Sequence, residues 1–297
     1  MKSINPKDIS TGELHGYLLG AIAPRPIAFA STIDKEGKVN LSPFSFFNVF
    51  GSNPPVLVFS PSRRVRDNTT KHSLDNVLEV PEVVINMVNF TMVEQMSLAS
   101  TEYDKGVNEF VKSGLTEEKS LLIKPPRVKE SPVSFECKVL QVLPTGKEGG
   151  AGNLVICEVL MVHIQEEILD QNGKINPFKL DSVSRMGGDW YCRANGNALF
   201  EIPKPLRNKG VGVDEIPLGI RNSTVLTGNN LGRLGNIEQL PTSDELKEYS
   251  LHPTIQEFKV RFQNDEESYV FHLHQLAKEK LEDGFVEEAW KILLQEK

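Results

Sequence analysis

Residues 60–73 form a segment rich in basic and hydroxyl side chains, the residue types that bind a phosphate group. The segment follows a short apolar run and contains the start of a predicted helix. Backbone N–H groups at a helix N-terminus favour an anion, and Arg or Lys adds charge-assisted hydrogen bonds. The pattern predicts a site for a nucleotide phosphate; the alternative is that Asp67 or Asn68 only caps the helix while the arginines face solvent. The basic side chains are those of Arg63, Arg64, Arg66 and Lys71.

Two nearby segments, residues 24–32 and 42–48, combine small hydroxyl and amide side chains with aromatic ones. A flat ring with polar edges, such as the isoalloxazine ring of a flavin, needs short polar groups along its edge and an apolar surface against its face. The composition therefore indicates a ligand site. The alternative is that the aromatic residues belong to the core and that the polar residues only close turns.

The chain up to about residue 200 consists of short predicted strands that would position these segments. They are recognised as apolar or alternating runs bounded by turns, and they span residues 27–32, 39–42, 55–59, 83–88, 135–143 and 153–164. Two helices are predicted over residues 69–79 and 91–99, the second with Thr91 as its cap and Glu94 in capping-box spacing. The mixture predicts an α+β fold that is mainly β, a barrel with covering helices.

The final hundred residues differ in composition from the rest. Residues 222–236 are rich in Gly, Asn and Thr, which predicts an exposed loop or arm. A short helix is predicted to start within residues 242–245, and apolar residues at helical spacing predict one terminal helix over residues 275–295. We therefore divide the chain into a domain of residues 1–200 and a C-terminal extension of residues 201–297.

Charge and hydrophobicity exclude several classes of function. A net charge of −7 and a pI near 5.5 do not supply the basic face that nucleic acid requires, so no nucleic-acid partner is expected. No apolar run approaches the roughly 20 residues of a membrane-spanning helix, and the N-terminus lacks the apolar core of a signal peptide. We expect a cytoplasmic protein without a membrane partner.

No metal site is predicted. The three cysteines are widely spaced and form no CxxC pair, and the six histidines show no spacing typical of metal ligands. His272 and His274 are expected to lie on a strand, with surface or packing roles. His163, on the predicted strand of residues 153–164, is the histidine most expected to approach a bound ring.

Taken together, these motifs resemble the flavin reductase-like, FMN-binding split-barrel family, in its flavoredoxin-like branch. The resemblance covers about residues 10–200. The motifs that carry it are residues 24–32 with Asp34 and Gly37, residues 40–48, 53–55 and 66–71, residues 149–155 before Glu158 and Val159, and residues 185–191.

The resemblance implies a split β-barrel that forms a homodimer, with one FMN in each subunit near the dimer interface. The residues implied to face the flavin ring and ribityl chain are Ser31, Thr32, Ser45, Phe46, Phe47 and Asn48. Those implied to hold the phosphate are Arg66, Asn68, Thr69, Thr70 and Lys71. Residues 149–152 and 185–191 would lie near the flavin, either of the same subunit or of the partner subunit.

The resemblance further implies an oxidoreductase in which bound FMN, rather than a catalytic side chain, carries the redox chemistry. One hypothesis is an NAD(P)H-dependent reductase of flavin or a small acceptor, with NADH or NADPH as a transient co-substrate. The glycine-rich residues 146–152 lie between strands, so they form neither a dinucleotide fingerprint nor a P-loop. The alternatives are an electron-transfer flavoprotein with a redox-protein donor, and a non-catalytic flavin-binding or structural barrel.

Overall fold

The computed structural model of the chain describes residues 1–205 and 209–296. The chain forms two compact units, Met1–Phe200 and Glu201–Lys297. Within the described residues, every strand lies in the first unit, and the second unit is built from helices.

The strands of the first unit follow the apolar and alternating runs of the sequence. Their bounds are β1 Ala28–Ile33, β2 Val39–Phe44, β3 Phe47–Ser52, β4 Pro55–Phe59, β5 Glu82–Asn86, β6 Glu117–Glu118, β7 Arg127–Val128, β8 Val133–Pro144, β9 Asn153–Ile164, β10 Val183–Arg185 and β11 Tyr191–Arg193.

Seven of these strands form one antiparallel sheet in the order β2-β1-β5-β8-β9-β4-β3. The centre of the sheet is a long hairpin in which β8 and β9 pair from Val133 with Ile164 to Pro144 with Asn153. The hairpin places the turn between β8 and β9 at the end of the sheet where β4 also ends, because Phe59 of β4 pairs with Val155 of β9. The short pairs β6–β7 and β10–β11 stand apart from this sheet.

Five helices accompany the strands of the first unit: α1 Thr11–Ala21, α2 His72–Glu79, α3 Val93–Leu98, α4 Glu109–Ser113 and α5 Pro177–Leu180. Three-residue 3-10 turns lie at Phe90–Met92, Glu166–Ile168 and Gly196–Ala198. The prediction of a mainly β, α+β fold with covering helices is confirmed.

Side chains of β1 alternate between two cores because successive residues of a strand point to opposite faces. Ala28 and Ala30 pack in a cluster that includes Leu74 and Val77 of α2. Phe29 belongs to a second cluster, formed with residues of α3 and α4. The sheet is therefore covered on both faces along β1.

In the first unit, one helix was missed and one local prediction was wrong. Helix α1 was not predicted, because none of its residues is buried and it carries no apolar stripe. Thr91 does not cap a helix: it lies inside a 3-10 turn, and its hydroxyl donates to Oδ1 of Asn89 at 2.8 Å. Helix α3 begins after Met92, which offers no side-chain cap.

The second unit contains six described helices around a core of its own. Their bounds are α6 Leu218–Arg221, α7 Gly228–Leu234, α8 Ser243–Tyr249, α9 Pro253–Arg261, α10 Glu266–Glu282 and α11 Val286–Leu293. At the centre lies the fully buried Trp290, whose indole N–H donates to the carbonyl oxygen of Leu234 at 3.0 Å.

Three predictions for this unit are corrected by the structure. The expected arm over residues 222–236 contains α7, and Leu234 of that helix is completely buried in the core. The expected single terminal helix is two helices, α10 and α11, which separate at Gly284 with a φ of +88°. His272 and His274 lie on α10 rather than on a strand, because the run of alternating residues there belongs to a longer amphipathic helix.

No helix among the described residues is both long and apolar enough to cross a membrane. Within residues 1–205 and 209–296, no three His, Cys, Asp or Glu side chains come together as metal ligands would. Cys137 and Cys157 are buried and free. Burial raises the pKa of Cys157 to about 12, so this thiol is a packed apolar group at neutral pH.

Candidate functional site

Three segments of the first unit meet at Ser60, which follows β4. Its backbone N–H donates to the carbonyl oxygen of Phe46, in the turn between β2 and β3, at 2.9 Å. Its hydroxyl accepts the backbone N–H of Asn153, the first residue of β9, at 3.1 Å. The predicted ring-binding turn (Ser45 and Phe46, between β2 and β3) therefore lies beside the basic loop (residues 60–71) and the glycine turn (residues 145–152).

Hydrogen bonds join the basic loop to the glycine turn. The backbone N–H of Arg63 donates to the carbonyl oxygen of Ala151 at 2.8 Å. In return, the N–H of Gly150 donates to the carbonyl oxygen of Arg63 at 3.0 Å. The side-chain amide of Asn68 donates to the carbonyl oxygen of Lys147 at 3.1 Å. The two loops thus form one hydrogen-bonded cradle, although they are far apart in the sequence.

Gly149 allows the two backbones of the cradle to approach closely. A Cβ atom at this position would lie 3.0 Å from the carbonyl oxygen of Arg64 and 3.1 Å from that of Val65. Backbone atoms held by hydrogen bonds cannot move aside as a flexible side chain can. The close approach therefore requires glycine here.

We expect Gly149→Ala to lower the free energy of unfolding of the first unit by about 1–3 kcal/mol, the usual cost of forcing extra atoms into a packed site. Urea unfolding monitored by circular dichroism measures this change. Gly16→Ala in α1 is the matched control, since its Cβ would meet no atom within 4 Å. Equal stability of the two variants would show that the cradle is looser than described.

Asn68 shapes the basic loop from within. Its φ of 55° is left-handed, a conformation that Asn tolerates better than most residues. Arg63 fixes it, because Nε donates to Oδ1 of Asn68 and Nη2 donates to its carbonyl oxygen, both at 2.6 Å. The polar atoms of Asn68 are thus used inside the cradle, and its contact with a phosphate stays a prediction.

Three cations of the basic loop converge on one carboxylate, that of Glu102. Arg64 Nε lies 2.9 Å from Glu102 Oε1, Arg66 Nη2 lies 3.1 Å from Oε2, and Lys71 Nζ lies 3.6 Å from Oε1. Hydrogen bonds from Arg64 and Arg66 lower the pKa of Glu102 to about 2. Burial lowers the pKa of Lys71, and the neighbouring Arg64 lowers it further.

The predicted phosphate ligands Thr69 and Thr70 donate their hydroxyl protons to neighbouring carboxylates. Thr69 donates to Oδ1 of Asp67 at 2.6 Å, and Thr70 donates to Oδ1 of Asp75 at 3.0 Å. The bonds from Thr69 lower the pKa of Asp67 to about 2. Both hydroxyls would have to rotate before they could donate to a phosphate, so these two contacts also stay predictions.

The basic loop leads directly into α2, with Lys71 as the N-cap residue. Among the described residues, no side chain caps this helix, so its first N–H groups are available to an anion. Three cations, a free helix N-terminus and a glycine turn pressed against the loop are a donor set that fits a phosphate monoester.

The predicted ring-binding residues after β2 are partly exposed. Ser45 and Phe46 form the turn, and Phe47 and Asn48 are the first residues of β3. Phe46 keeps 37% of its surface exposed and its ring meets the edge of His15 of α1, at 6.2 Å between centroids. Phe47 packs against the core, whereas Asn48 is exposed, and its amide oxygen accepts the N–H of Val49 at 2.8 Å. An aromatic face and an amide are therefore available on either side of Phe47.

Ser31 and Thr32 are both fully buried in β1, where consecutive side chains point to opposite faces. The Thr32 hydroxyl accepts a hydrogen bond from the amide of Asn76 in α2 at 3.1 Å. The Ser31 hydroxyl has no hydrogen-bond partner among the described residues. The structure thus does not bring these two side chains to one surface, and their contact with a flavin stays a prediction.

Arg25 belongs to the predicted ligand segment of residues 24–32, but the sequence patterns gave it no role of its own. It is only 5% exposed, and its guanidinium donates to the carbonyl oxygens of Leu19, Ile22 and Met186, with Nε 3.5 Å from Oγ of Ser45. Burial lowers its pKa. Arg25 therefore ties the ring-binding turn to the end of α1 and to the segment that follows β10, a role that only tertiary contacts could show.

His163 lies on β9 but is engaged with the sheet. Its Nε2 lies 2.8 Å from Oε1 of Glu136, a carboxylate whose other contacts are the backbone N–H groups of Leu121 and Leu122, both at 2.7 Å. These hydrogen bonds indicate a structural role, and the expected approach of His163 to a ring stays a prediction.

The first unit is similar to a known protein family and to several solved structures. The family model described as the flavin reductase like domain matches residues 20–179. Nitrilotriacetate monooxygenase component B from Bacillus cereus is 29% identical, with a TM-score of 0.63 over 68% of this chain and 98% of that one. The residues that the family model matches include the basic loop, the predicted ring-binding turn and the glycine turn.

Two further solved structures are similar. The 2-nitrobenzoate 2-nitroreductase of Pseudomonas fluorescens is 26% identical, with a TM-score of 0.59 over 70% of this chain and 100% of that one. A Shewanella frigidimarina protein with a split barrel domain is 25% identical, with a TM-score of 0.57 over 69% of this chain and 100% of that one. The split-barrel prediction is confirmed.

Proposed function

Because the chain belongs to the flavin reductase-like family of oxidoreductases, we propose that it binds FMN in the cradle of the first unit and uses it to reduce flavin or a small acceptor with NAD(P)H. The observation that carries this proposal is the convergence at Ser60 of the basic loop, the ring-binding turn and the glycine turn. A phosphate site and an exposed aromatic and amide surface lie next to each other there, as a flavin mononucleotide requires.

When bound, a flavin would supply the redox chemistry, the transfer of two electrons from NAD(P)H to an acceptor. The residues of this chain would bind the flavin and orient it. Arg66 and Lys71 neutralise the phosphate, while Phe46 and Asn48 offer an apolar face and an amide to the ring. No ionisable side chain with a pKa suited to proton transfer at neutral pH is required.

Two of the similar structures support a small acceptor, since one is named as a nitroreductase and the other as a monooxygenase component. Both names describe redox chemistry on small molecules.

We extend the proposal to a homodimer. The edge strand β3 leaves Val49 and Phe50 exposed, at 64% and 69%, and Leu143 and Val162 of the central hairpin are also exposed. An edge strand with apolar side chains is a natural interface. Sedimentation equilibrium of the whole chain should give twice the 33.2 kDa chain mass, and the single-chain mass would contradict the dimer.

The proposed function is tested by absorbance of the purified chain between roughly 300 and 550 nm, before and after anaerobic NADH and then NADPH. We expect an oxidised flavin spectrum that bleaches and identifies the donor. A flavin that bleaches only with a reduced redox protein or dithionite would instead establish an electron-transfer flavoprotein. A colourless chain that binds no added FMN would overturn the proposal.

A further inference from the structure

The carboxylate of Glu102, from another part of the first unit, lies among the cations of the basic loop. It lies between α3 and α4, and its side chain, 45% exposed, receives Arg64, Arg66 and Lys71. Single ion pairs at a protein surface contribute little. Here one carboxylate is shared by three cations from a single loop, so it is the principal counterion of the proposed phosphate site.

A carboxylate matches these three cations incompletely. It has two oxygen atoms and one negative charge, whereas a phosphate monoester has three terminal oxygens and a charge of about −1.5 to −2 at neutral pH. Arg66 also pairs with Asp67 at 3.0 Å, and Arg64 also donates to Thr69 and Thr70. The three positive charges still exceed the charges of the two carboxylates, Glu102 and Asp67. A phosphate that replaces Glu102 therefore interacts more favourably with the cations than Glu102 does. A singly charged carboxylate that replaces Glu102 does not.

We propose that Glu102 is a specificity-determining residue of the phosphate site: its carboxylate occupies the three cations until a phosphate dianion displaces it. This inference rests on the proposed function, because it concerns the site that would hold FMN. Glu102 lowers the affinity for every anion by the same competition. Only a doubly charged phosphate recovers enough binding energy to overcome it, so the site rejects carboxylates and chloride.

The variant Glu102→Gln keeps the shape and hydrogen-bonding oxygen of the side chain but removes its charge. We expect FMN to bind about tenfold more tightly, the scale of a few partly exposed ion pairs released together. Riboflavin, which has no phosphate, should bind with unchanged affinity. Quenching of flavin fluorescence measures both dissociation constants. Glu79→Gln is the matched control, since Glu79 is exposed at the end of α2 and forms no ion pair in the described part of the chain.

A second titration examines the anion site without flavin. We expect inorganic phosphate to protect Glu102→Gln against thermal unfolding at lower concentrations than it protects the wild-type chain, and acetate to protect only the variant. FMN affinity that is unchanged or weaker in Glu102→Gln would overturn the inference, because Glu102 would then support the site instead of competing for it. If the wild-type chain binds no flavin, the proposed function fails, and the phosphate and acetate titrations still decide the role of Glu102.

Discussion

Replacing both Arg66 and Lys71 by Ala is expected to weaken FMN binding about a hundredfold, since each cation offers a charge-assisted hydrogen bond to the phosphate. Riboflavin should bind both forms equally well. The loss of FMN affinity arises at the phosphate site itself. Of the three cations around Glu102 only Arg64 remains, so the carboxylate is less neutralised and repels the phosphate. Fluorescence titration with the two flavins measures the ratio of affinities.

A charge-matched control separates this effect from the loss of two positive charges. Lys35 and Lys124 are exposed in the same unit and form no ion pair among the described residues, so their double replacement by Ala should leave both affinities unchanged. If the Arg66 and Lys71 double variant keeps the same preference for FMN over riboflavin, the phosphate of FMN does not bind at the basic loop.

Glu136→Gln is expected to lower the free energy of unfolding by about 3 kcal/mol at pH 7, because a buried carboxylate that accepts backbone hydrogen bonds is replaced by an amide that cannot accept all of them. Glu136 is completely buried, and its two oxygens receive the N–H groups of Leu121 and Leu122 together with His163. Chemical unfolding of the whole chain measures the loss.

The effect of Glu136 should depend on pH in one direction. Hydrogen bonds from Leu121, Leu122 and His163 outweigh burial and leave its pKa below the ordinary value of 4.5. A lowered pKa means that the stabilisation is complete above the pKa of the unfolded chain and is lost as the pH falls through the folded one. The difference between wild type and variant should therefore shrink from about pH 5 downward.

An exposed carboxylate provides the comparison. Glu118 pairs with Arg127 at 3.2 Å but is 42% exposed, so Glu118→Gln should cost less than about 1 kcal/mol. Equal losses for Glu136→Gln and Glu118→Gln would show that Glu136 is not held as described.

The sequence predicted the central strands well and the marginal helices poorly. Strands β4 and β9 have the predicted bounds, because an apolar run opened by proline and a long alternation of residue types are strong local signals. Helix α1 has no buried residue and therefore no stripe to detect. In the second unit, Gly and Asn residues that favour loops lie in α7, since burial of Leu234 outweighs their weak preference.

The position of the site was also partly predictable. A concentration of Arg, Lys and Thr after a buried strand was enough to locate the basic loop. The contacts that Ser60, Arg25 and Glu102 make were not visible, because each joins residues that are distant in the sequence. The opposite orientations of Ser31 and Thr32 follow from strand geometry, which a motif read as a string of letters does not contain.

The bonds that close the cradle have a consequence for the order of folding. The bond between Ser60 and Asn153 spans 93 positions, and that between Asn68 and Lys147 spans 79. Contacts of such long sequence separation form late, after the entropy of closing the intervening loop has been lost. The cradle is thus completed only when β4 has docked on β9. A flavin bound there, as we propose, would therefore bind the folded unit and would not assist the first steps of folding. Bound flavin should slow unfolding while leaving the folding rate unchanged.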